Sequence, residues 1–211
     1  MMYIENIFLL VALPLVACLF CVKGHARVSA GSLLAGMVAC LLSAYVSSFI
    51  AQFVGANSVR AAVEIAPVVE EVAKLAPLLF YVLVMGPERD DVDLAFIFVA
   101  VGFATMESAF YLGDNGTAAP DVLALRGLSA AMMHLACGML MGFGFMRVWK
   151  YPWLRAAGAF GILCLVITYH GLYNLLIAAQ GPALAAAVVI PLATLVFMLS
   201  ARRSLDSSIK K

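Results

Sequence analysis

Long runs of apolar residues, separated by short polar segments, extend along this chain from one end to the other. A helix needs about 20 residues to cross the roughly 30 Å hydrocarbon core of a bilayer. Seven runs approach or exceed that length: Ile4–Val22, Ala30–Val54, Ala61–Met85, Leu94–Leu112, Val122–Val148, Ala157–Ala179 and Ala183–Ser200. The pattern therefore predicts an all-α polytopic membrane protein, with a bundle of about seven transmembrane helices forming a single domain over residues 1–211.

The composition agrees with this fold class and excludes others. Hydrophobic residues make up 65% of the chain and charged residues only 12%, whereas soluble domains are about a quarter charged. A water-soluble domain of any size is therefore excluded, and the net charge of +1 gives no indication of a nucleic-acid partner. The five cysteines all fall in apolar runs, as buried hydrophobic residues do, so no disulfide framework is predicted. No Lys or Arg precedes the first run, so we expect it to be an uncleaved span and not a signal peptide.

The distribution of Lys and Arg predicts the orientation. With seven spans, one side of the membrane collects ten of these residues, and the other side collects only Arg60 and Arg126. The ten are Lys23, Arg27, Arg89, Arg147, Lys150, Arg155, Arg202, Arg203, Lys210 and Lys211. Because cytoplasmic segments are enriched in Lys and Arg, the N-terminus should lie outside and the C-terminus in the cytoplasm.

The third run carries a charged motif, Glu70-Glu71-Val72-Ala73-Lys74, between Pro67 and Pro77. Ionisable residues at membrane depth are costly and usually mark a functional site. On a helix, Lys74 lies on the same side as Glu70 at i−4 and as Glu71 at i−3. Lys74 can therefore hold one carboxylate ionised while the other points elsewhere. A buried structural ion pair is the alternative interpretation.

Three further runs place ionisable or amide side chains at depth. These are Glu107, Arg126, His134, His170 and Asn174. With a rise of about 1.5 Å per residue, Glu70 lies roughly 14 Å, Glu107 about 10 Å and His134 about 18 Å below the predicted outer face. His170 falls in the same layer. Four helices thus contribute to one predicted site between the midplane and the outer leaflet.

This set of side chains is suited to peptide hydrolysis. A carboxylate paired with an imidazole such as that of His134 can deprotonate a water and later protonate a leaving amine. His170 and Asn174 are i and i+4 on one helix and can both donate to a developing oxyanion. No Ser or Cys nucleophile stands out. Tyr111, one turn after Glu107, is placed to cap its carboxylate. The Gly138-x-x-x-Gly142 motif indicates helix packing.

The combination of motifs resembles the PrsW-type intramembrane proteases, which are similar to a wider group that includes CAAX prenyl endopeptidases. The motifs are Glu70-Glu71-x-x-Lys74, Phe103-x-x-x-Glu107, a midspan His134 and His170-x-x-x-Asn174. In the CAAX branch the first motif ends in Arg after three residues and the second ends in His. Here they end in Lys74 after two residues and in Glu107, which favours the PrsW branch. The resemblance covers the third to sixth runs, a catalytic core of about residues 61–179.

The resemblance implies an intramembrane endopeptidase of the bacterial inner membrane. It implies cleavage of a membrane-anchored protein, such as an anti-sigma factor, on the extracytoplasmic side. By the resemblance, Glu70 or Glu71 activates the water, and His170 with Asn174 steadies the oxyanion. We expect His134 to supply a further imidazole beside Glu107, with Lys74, Arg126 and Tyr111 in support. The expected partners are the substrate protein and the lipid bilayer, and no cofactor is expected.

Two alternatives remain open at this point. A glutamate with His134 and His170 can ligate zinc, since catalytic zinc commonly takes three His or carboxylate ligands. We rank zinc second because the chain has no His-Glu-x-x-His helix. The same carboxylates also suit a proton- or ion-coupled transporter, but the chain shows no internal repeat of the kind that carriers often contain.

Overall fold

The computed structural model describes residues 4–116 and 119–209, and all regular structure in that part of the chain is helical. The long helices are α1 Ile4–Cys21, α2 His25–Phe53, α3 Ala66–Phe80, α4 Arg89–Asn115, α5 Pro120–Val148, α6 Arg155–Ala179 and α7 Pro182–Ile209. Six of them, all except α3, are long and apolar enough to cross a membrane. The predicted polytopic α-helical fold is confirmed, and the orientation stays a prediction. Lys210 and Lys211 lie outside the described residues.

The third segment is helical but irregular. A short α-turn at Ser58–Arg60 and a π-helical turn at Ala61–Ile65 precede α3, and a second π-helical turn at Tyr81–Met85 follows it. Pro67 lies in the first turn of α3 and Pro77 lies inside it. Since proline has no backbone N–H, regular α-helical bonding is interrupted at both places. Interruptions of this kind often mark functional sites, and this segment carries the Glu70-Glu71 motif.

Three helices extend beyond the predicted apolar runs. Helix α2 begins at His25, α4 begins at Arg89, and α7 continues to Ile209. The extensions are joined by polar contacts: His25 Nδ1 lies 2.6 Å from Asp91 Oδ1, and Arg202 Nη2 donates to Asp93 Oδ2 at 2.7 Å. Hydropathy detects only the part of a helix that is apolar, so these polar helix ends were not predicted.

Helices α2 and α4 form the most intimate contact in the bundle. A Cβ atom added to Gly102 of α4 would lie 1.9 Å from the Leu33 carbonyl oxygen of α2, and one added to Gly36 would lie 2.1 Å from the Val99 carbonyl oxygen. Only glycine permits the two backbones to approach so closely. The contact fixes α4, and with it Glu107, against the rest of the bundle.

Helix α5 packs against α4 on its other side. A Cβ on Gly138 would lie 2.9 Å from the Phe96 carbonyl oxygen, and one on Gly142 would lie 3.0 Å from Phe96 Cβ. The Gly-x-x-x-Gly motif therefore is a packing face, as its spacing indicated. Cys137, between the two glycines, is buried, and all five cysteines are free thiols.

Helix α1 lies at the periphery. Helix α1 packs on α2 and α4, and Ala12 is its one buried residue among those described. Large side chains such as Leu10 and Phe20 are exposed, as expected of a surface that faces lipid.

We predict that Gly102→Ala destabilises the protein. Alanine in place of a glycine in a helix normally raises the stability by about 0.5–1 kcal/mol. Here the added methyl group would collide with the backbone of α2, and overpacking typically lowers the stability by about 1–3 kcal/mol or more. Thermal unfolding in detergent measures the effect. The matched control is Gly161→Ala in α6, because a Cβ at Gly161 meets nothing within 4 Å. Equal melting temperatures for the two variants would contradict the α2–α4 contact.

Candidate active site

The centre of the polar layer is a buried ion pair within α3. Lys74 Nζ donates to Glu71 Oε1 at 2.5 Å, and the two side chains are 4% and 1% exposed. The Phe103 ring of α4 lies 4.8 Å from the ammonium nitrogen. Of the two pairings that the spacing allowed for Lys74, the i, i+3 pairing with Glu71 is therefore the one formed. Lys74 thus pairs with Glu71 and not with the neighbouring carboxylate, Glu70.

His170 of α6 joins the pair through Glu71. Its Nδ1 lies 2.8 Å from Glu71 Oε1, and both side chains are buried. Because an ionised carboxylate only accepts hydrogen bonds, Nδ1 carries a proton, and in the neutral ring Nε2 then has a free lone pair. That Nε2 lies 3.7 Å from Glu70 Oε2. A carboxylate behind a histidine in this way fixes the orientation and the tautomer of the ring.

His134 of α5 joins from the other side through Lys74. Its Nδ1 lies 3.0 Å from Lys74 Nζ, and since an ammonium group only donates, Nδ1 accepts. The ring proton is then on Nε2, which donates to Glu107 Oε2 at 2.6 Å. The rings of His134 and His170 lie edge to face, with centroids 5.1 Å apart. Lys74 and Glu71 together thus determine the tautomers of both histidines.

Glu107 extends the network into α5 and α6. Its Oε1 accepts from Arg126 Nη2 at 3.3 Å, and Arg126 Nη1 donates to the Tyr173 hydroxyl at 3.5 Å. The Tyr173 hydroxyl lies 2.9 Å from Ser129 Oγ. Tyr173 and Ser129 were not among the predicted site residues. Their spacing from predicted residues, i+3 from His170 and i+3 from Arg126, was the available signal.

Asn174 makes a contact that differs from its predicted role. Its Nδ2 donates to the Ala62 carbonyl oxygen at 2.8 Å. In the π-helical turn the Ala66 N–H bonds to the Ala61 carbonyl, and Pro67, the next residue, has no N–H to offer. Asn174 therefore bonds a carbonyl that the helix leaves without a donor. This contact holds α6 to the third segment, and the role of Asn174 in binding an oxyanion stays a prediction.

Tyr111 and Arg126 lie at a cleft between α4 and α5. The Tyr111 ring centroid is 5.3 Å from the Arg126 guanidinium carbon, so Tyr111 stands beside the partner of Glu107. The cleft has a volume of about 210 Å³. Its walls include Glu107, Ser108, Tyr111, Leu112, Leu123 and Arg126. It gives Glu107, whose side chain is 29% exposed, a connection to the surface.

Within the described part of the site, Glu70 has a carboxylate oxygen without a hydrogen-bond partner. Its Oε2 is buried and has no hydrogen-bond donor among the residues that the structure describes. It faces His170 Nε2, which is also an acceptor, so the two atoms need a proton, a water or a cation between them. One ligand atom each from Glu70, His134 and His170 lies within 4.8 Å of the others. Two imidazoles and one carboxylate form a ligand set that catalytic zinc commonly takes.

The structure thus brings together the predicted residues Glu70, Glu71, Glu107, His134 and His170, with Lys74 between them and Arg126 at the edge. The existing hydrogen bonds of Glu71 and His134 limit the chemistry that these two residues can carry out. Glu71 Oε1 already accepts from Lys74 and His170. Each nitrogen of His134 also has a partner, so its use as a ligand requires one of the two contacts to open.

A known sequence family matches most of this chain. Residues 24–201 match the family described as PrsW family intramembrane metalloprotease. The match includes every helix of the site, α3 to α6, and leaves out α1. No curated protein and no solved structure gives a significant match.

We predict that Lys74→Met strongly destabilises the protein. Removing one partner of a buried ion pair leaves the other charge uncompensated, at a cost of about 3–5 kcal/mol. Thermal unfolding in detergent measures the loss. Lys150→Met, at an exposed lysine, is the control and should have little effect. The double variant Lys74→Met/Glu71→Gln should recover part of the stability, because it removes both charges. A single variant as stable as the wild type would contradict the central position of Lys74.

Proposed function

Because the chain belongs to the PrsW family of intramembrane metalloproteases, we propose that it hydrolyses a peptide bond of a membrane-anchored protein at the Glu70, His134 and His170 cluster. The observation that carries this proposal is the buried, unpartnered Glu70 Oε2 facing His170 Nε2 at 3.7 Å. Two acceptors in that position suit a cation or an activated water, and these are what hydrolysis of an amide requires.

We infer that the cluster holds a divalent metal, and that Glu70, His134 and His170 are its ligands. The expectation that no cofactor is needed has no support, since the family is described as metalloproteases and the donor atoms lie within 4.8 Å of one another. When bound, zinc in such a set lowers the pKa of a water and polarises a carbonyl oxygen. His134 would join the set through Nε2 with a change of tautomer: the proton that Nε2 now donates to Glu107 would leave to water through the cleft between α4 and α5, and Nδ1 would take a proton from Lys74.

The surrounding residues then have separate tasks. Glu71 fixes the His170 ring with Nε2 directed at the cluster, and Lys74 holds both Glu71 and His134 in place. Glu107, released from His134, is the half-buried carboxylate that can accept a proton from the water and return it to the leaving amine. The glutamate-dependent mechanism predicted from the sequence is retained in this form, with Glu107 in place of Glu70 or Glu71 as the base.

We further propose that the site faces the extracytoplasmic side of a bacterial inner membrane, with the catalytic core at about residues 61–179. The segregation of Lys and Arg supports the orientation. All the site contacts fall between Ala62 and Asn174, within that core. The substrate would be a single-span regulatory protein such as an anti-sigma factor. No observation favours the transporter alternative.

Substitution of the cluster should abolish cleavage. We expect Glu70→Gln, Glu71→Gln and His170→Ala each to reduce turnover by about 10²–10⁴-fold, because each removes a group that binds or orients the reacting atoms. The measurement compares membrane proteomes of strains that carry the deletion, the wild type or a variant, and searches for a truncated single-span protein. Glu64→Gln is the matched control: Glu64 is an exposed carboxylate on the same segment, paired with Arg60. Wild-type turnover by all three variants would remove the protease assignment from this site.

Metal removal should have the same effect as substitution. We expect dialysis of the purified protein against a strong chelator to stop cleavage, and zinc to restore it. Elemental analysis provides a readout independent of activity: the wild type and Glu64→Gln should carry about one metal ion per chain, and Glu70→Gln and His170→Ala should carry less. Cleavage that persists in protein shown to be free of metal would reassign Glu70 as the base of a metal-free enzyme.

A further inference from the structure

The cleft between α4 and α5 contains the positively charged side chain of Arg126, close to the proposed reaction centre at Glu70, His134 and His170. Arg126 lines this cleft, and its side chain is 25% exposed. It is separated from the cluster by only two contacts, through Glu107 and then His134. A group bound by Arg126 in the cleft would therefore lie close to the bond that is cleaved.

The hydrogen-bonding capacity of Arg126 is largely unused. A guanidinium group has five N–H donors, and the two hydrogen bonds that Arg126 makes within the described part of the chain are long, 3.3 Å to Glu107 and 3.5 Å to the Tyr173 hydroxyl. The guanidinium carbon also lies 5.3 Å from the centroid of the Tyr111 ring. Other Arg–carboxylate pairs in the described part of the chain are shorter, at 2.8 Å for Arg60 and 2.7 Å for Arg202. A residue that only neutralised Glu107 would be expected to approach it as closely.

The remaining walls of the cleft indicate what kind of molecule fits. Leu112, Leu123 and Ala130 are apolar, whereas Ser108, Tyr111 and Arg126 supply polar or charged groups. This combination suits a stretch of peptide with mostly apolar side chains and one anionic group. Arginine binds carboxylates through paired hydrogen bonds that a neutral amide cannot match.

We propose that Arg126 is a substrate-binding residue that recognises an acidic side chain close to the cleaved bond, in a substrate segment lying in the α4–α5 cleft. This inference rests on the proposed protease function and adds a sequence preference to it. It predicts that substrates carry Asp or Glu near the cleavage position, on the side of the membrane where the cleft opens.

The test compares how the wild type and Arg126→Gln cleave reporter proteins with and without an acidic side chain. A panel of single-span reporters carries one Glu, moved residue by residue through the outer third of the span, and a matched panel carries Gln. The purified protein in liposomes should cleave the best Glu reporter with a kcat/KM about 10-fold or more above that of its Gln partner, mainly through KM. Arg126→Gln should cleave both reporters equally. Arg60→Gln, at an arginine outside the cleft, should keep the preference.

The outcomes separate the two proposals. If Arg126→Gln lowers cleavage of the Glu and Gln reporters by the same factor, Arg126 is only a structural partner of Glu107 and the inference is overturned. If the wild type cleaves no reporter, the proposed function loses its support, and the subsite is decided by binding. The wild type should then bind the Glu peptide at least about 10-fold more tightly than the Gln peptide. The Arg126→Gln variant should bind the two peptides with equal affinity. If the wild type also binds them with equal affinity, the inference is overturned.

Discussion

The buried ammonium group of Lys74 is the contact on which the rest of the site depends. It lies between Glu71 of its own helix and His134 of α5, 2.5 Å from one and 3.0 Å from the other. Because an ammonium group can only donate, it forces His134 to accept at Nδ1 and to donate at Nε2. Through Glu71 it also determines His170, whose Nε2 is left free. One charge therefore fixes the state of two imidazoles on two other helices.

That arrangement is stable only if the helices cannot move apart. A charge buried in a membrane bundle is tolerated when its partners are held in place, since a lost partner leaves it uncompensated. The close backbone contact at Gly36 and Gly102, together with the Gly138–Gly142 face, holds α2, α4 and α5 at short distances. The third segment packs on α6 less tightly, since a Cβ added to Gly171 would lie 3.4 Å from the Val63 carbonyl oxygen, and Asn174 also holds the segment by donating to the Ala62 carbonyl oxygen. Close helix packing and hydrogen bonding to backbone carbonyls thus both keep the partners of Lys74 in place.

The irregular third segment places two adjacent glutamates in different environments. Its prolines and π-helical turns interrupt backbone bonding near Glu70 and Glu71, and backbone carbonyls that such interruptions leave without a donor must face protein or water instead of lipid. Glu70 keeps a carboxylate oxygen without a donor among the described residues, whereas Glu71 Oε1 accepts from both Lys74 and His170. Glu70 is therefore the one of the two with a buried oxygen left for a further ligand.

Much of this could be read from the sequence, because membrane burial makes each charge informative. The apolar runs fixed the number and kind of helices, and the rise per residue placed Glu70, Glu107, His134 and His170 in one layer. Helical spacing alone limited the partner of Lys74 to Glu70 or Glu71, since i, i+3 and i, i+4 contacts are local. Tertiary structure decided the rest: the different environments of the two glutamates, the tautomers of the histidines, the link from Arg126 to Tyr173 and the contact of Asn174 with Ala62. These depend on how helices rotate and approach one another, and a one-dimensional pattern does not contain that rotation.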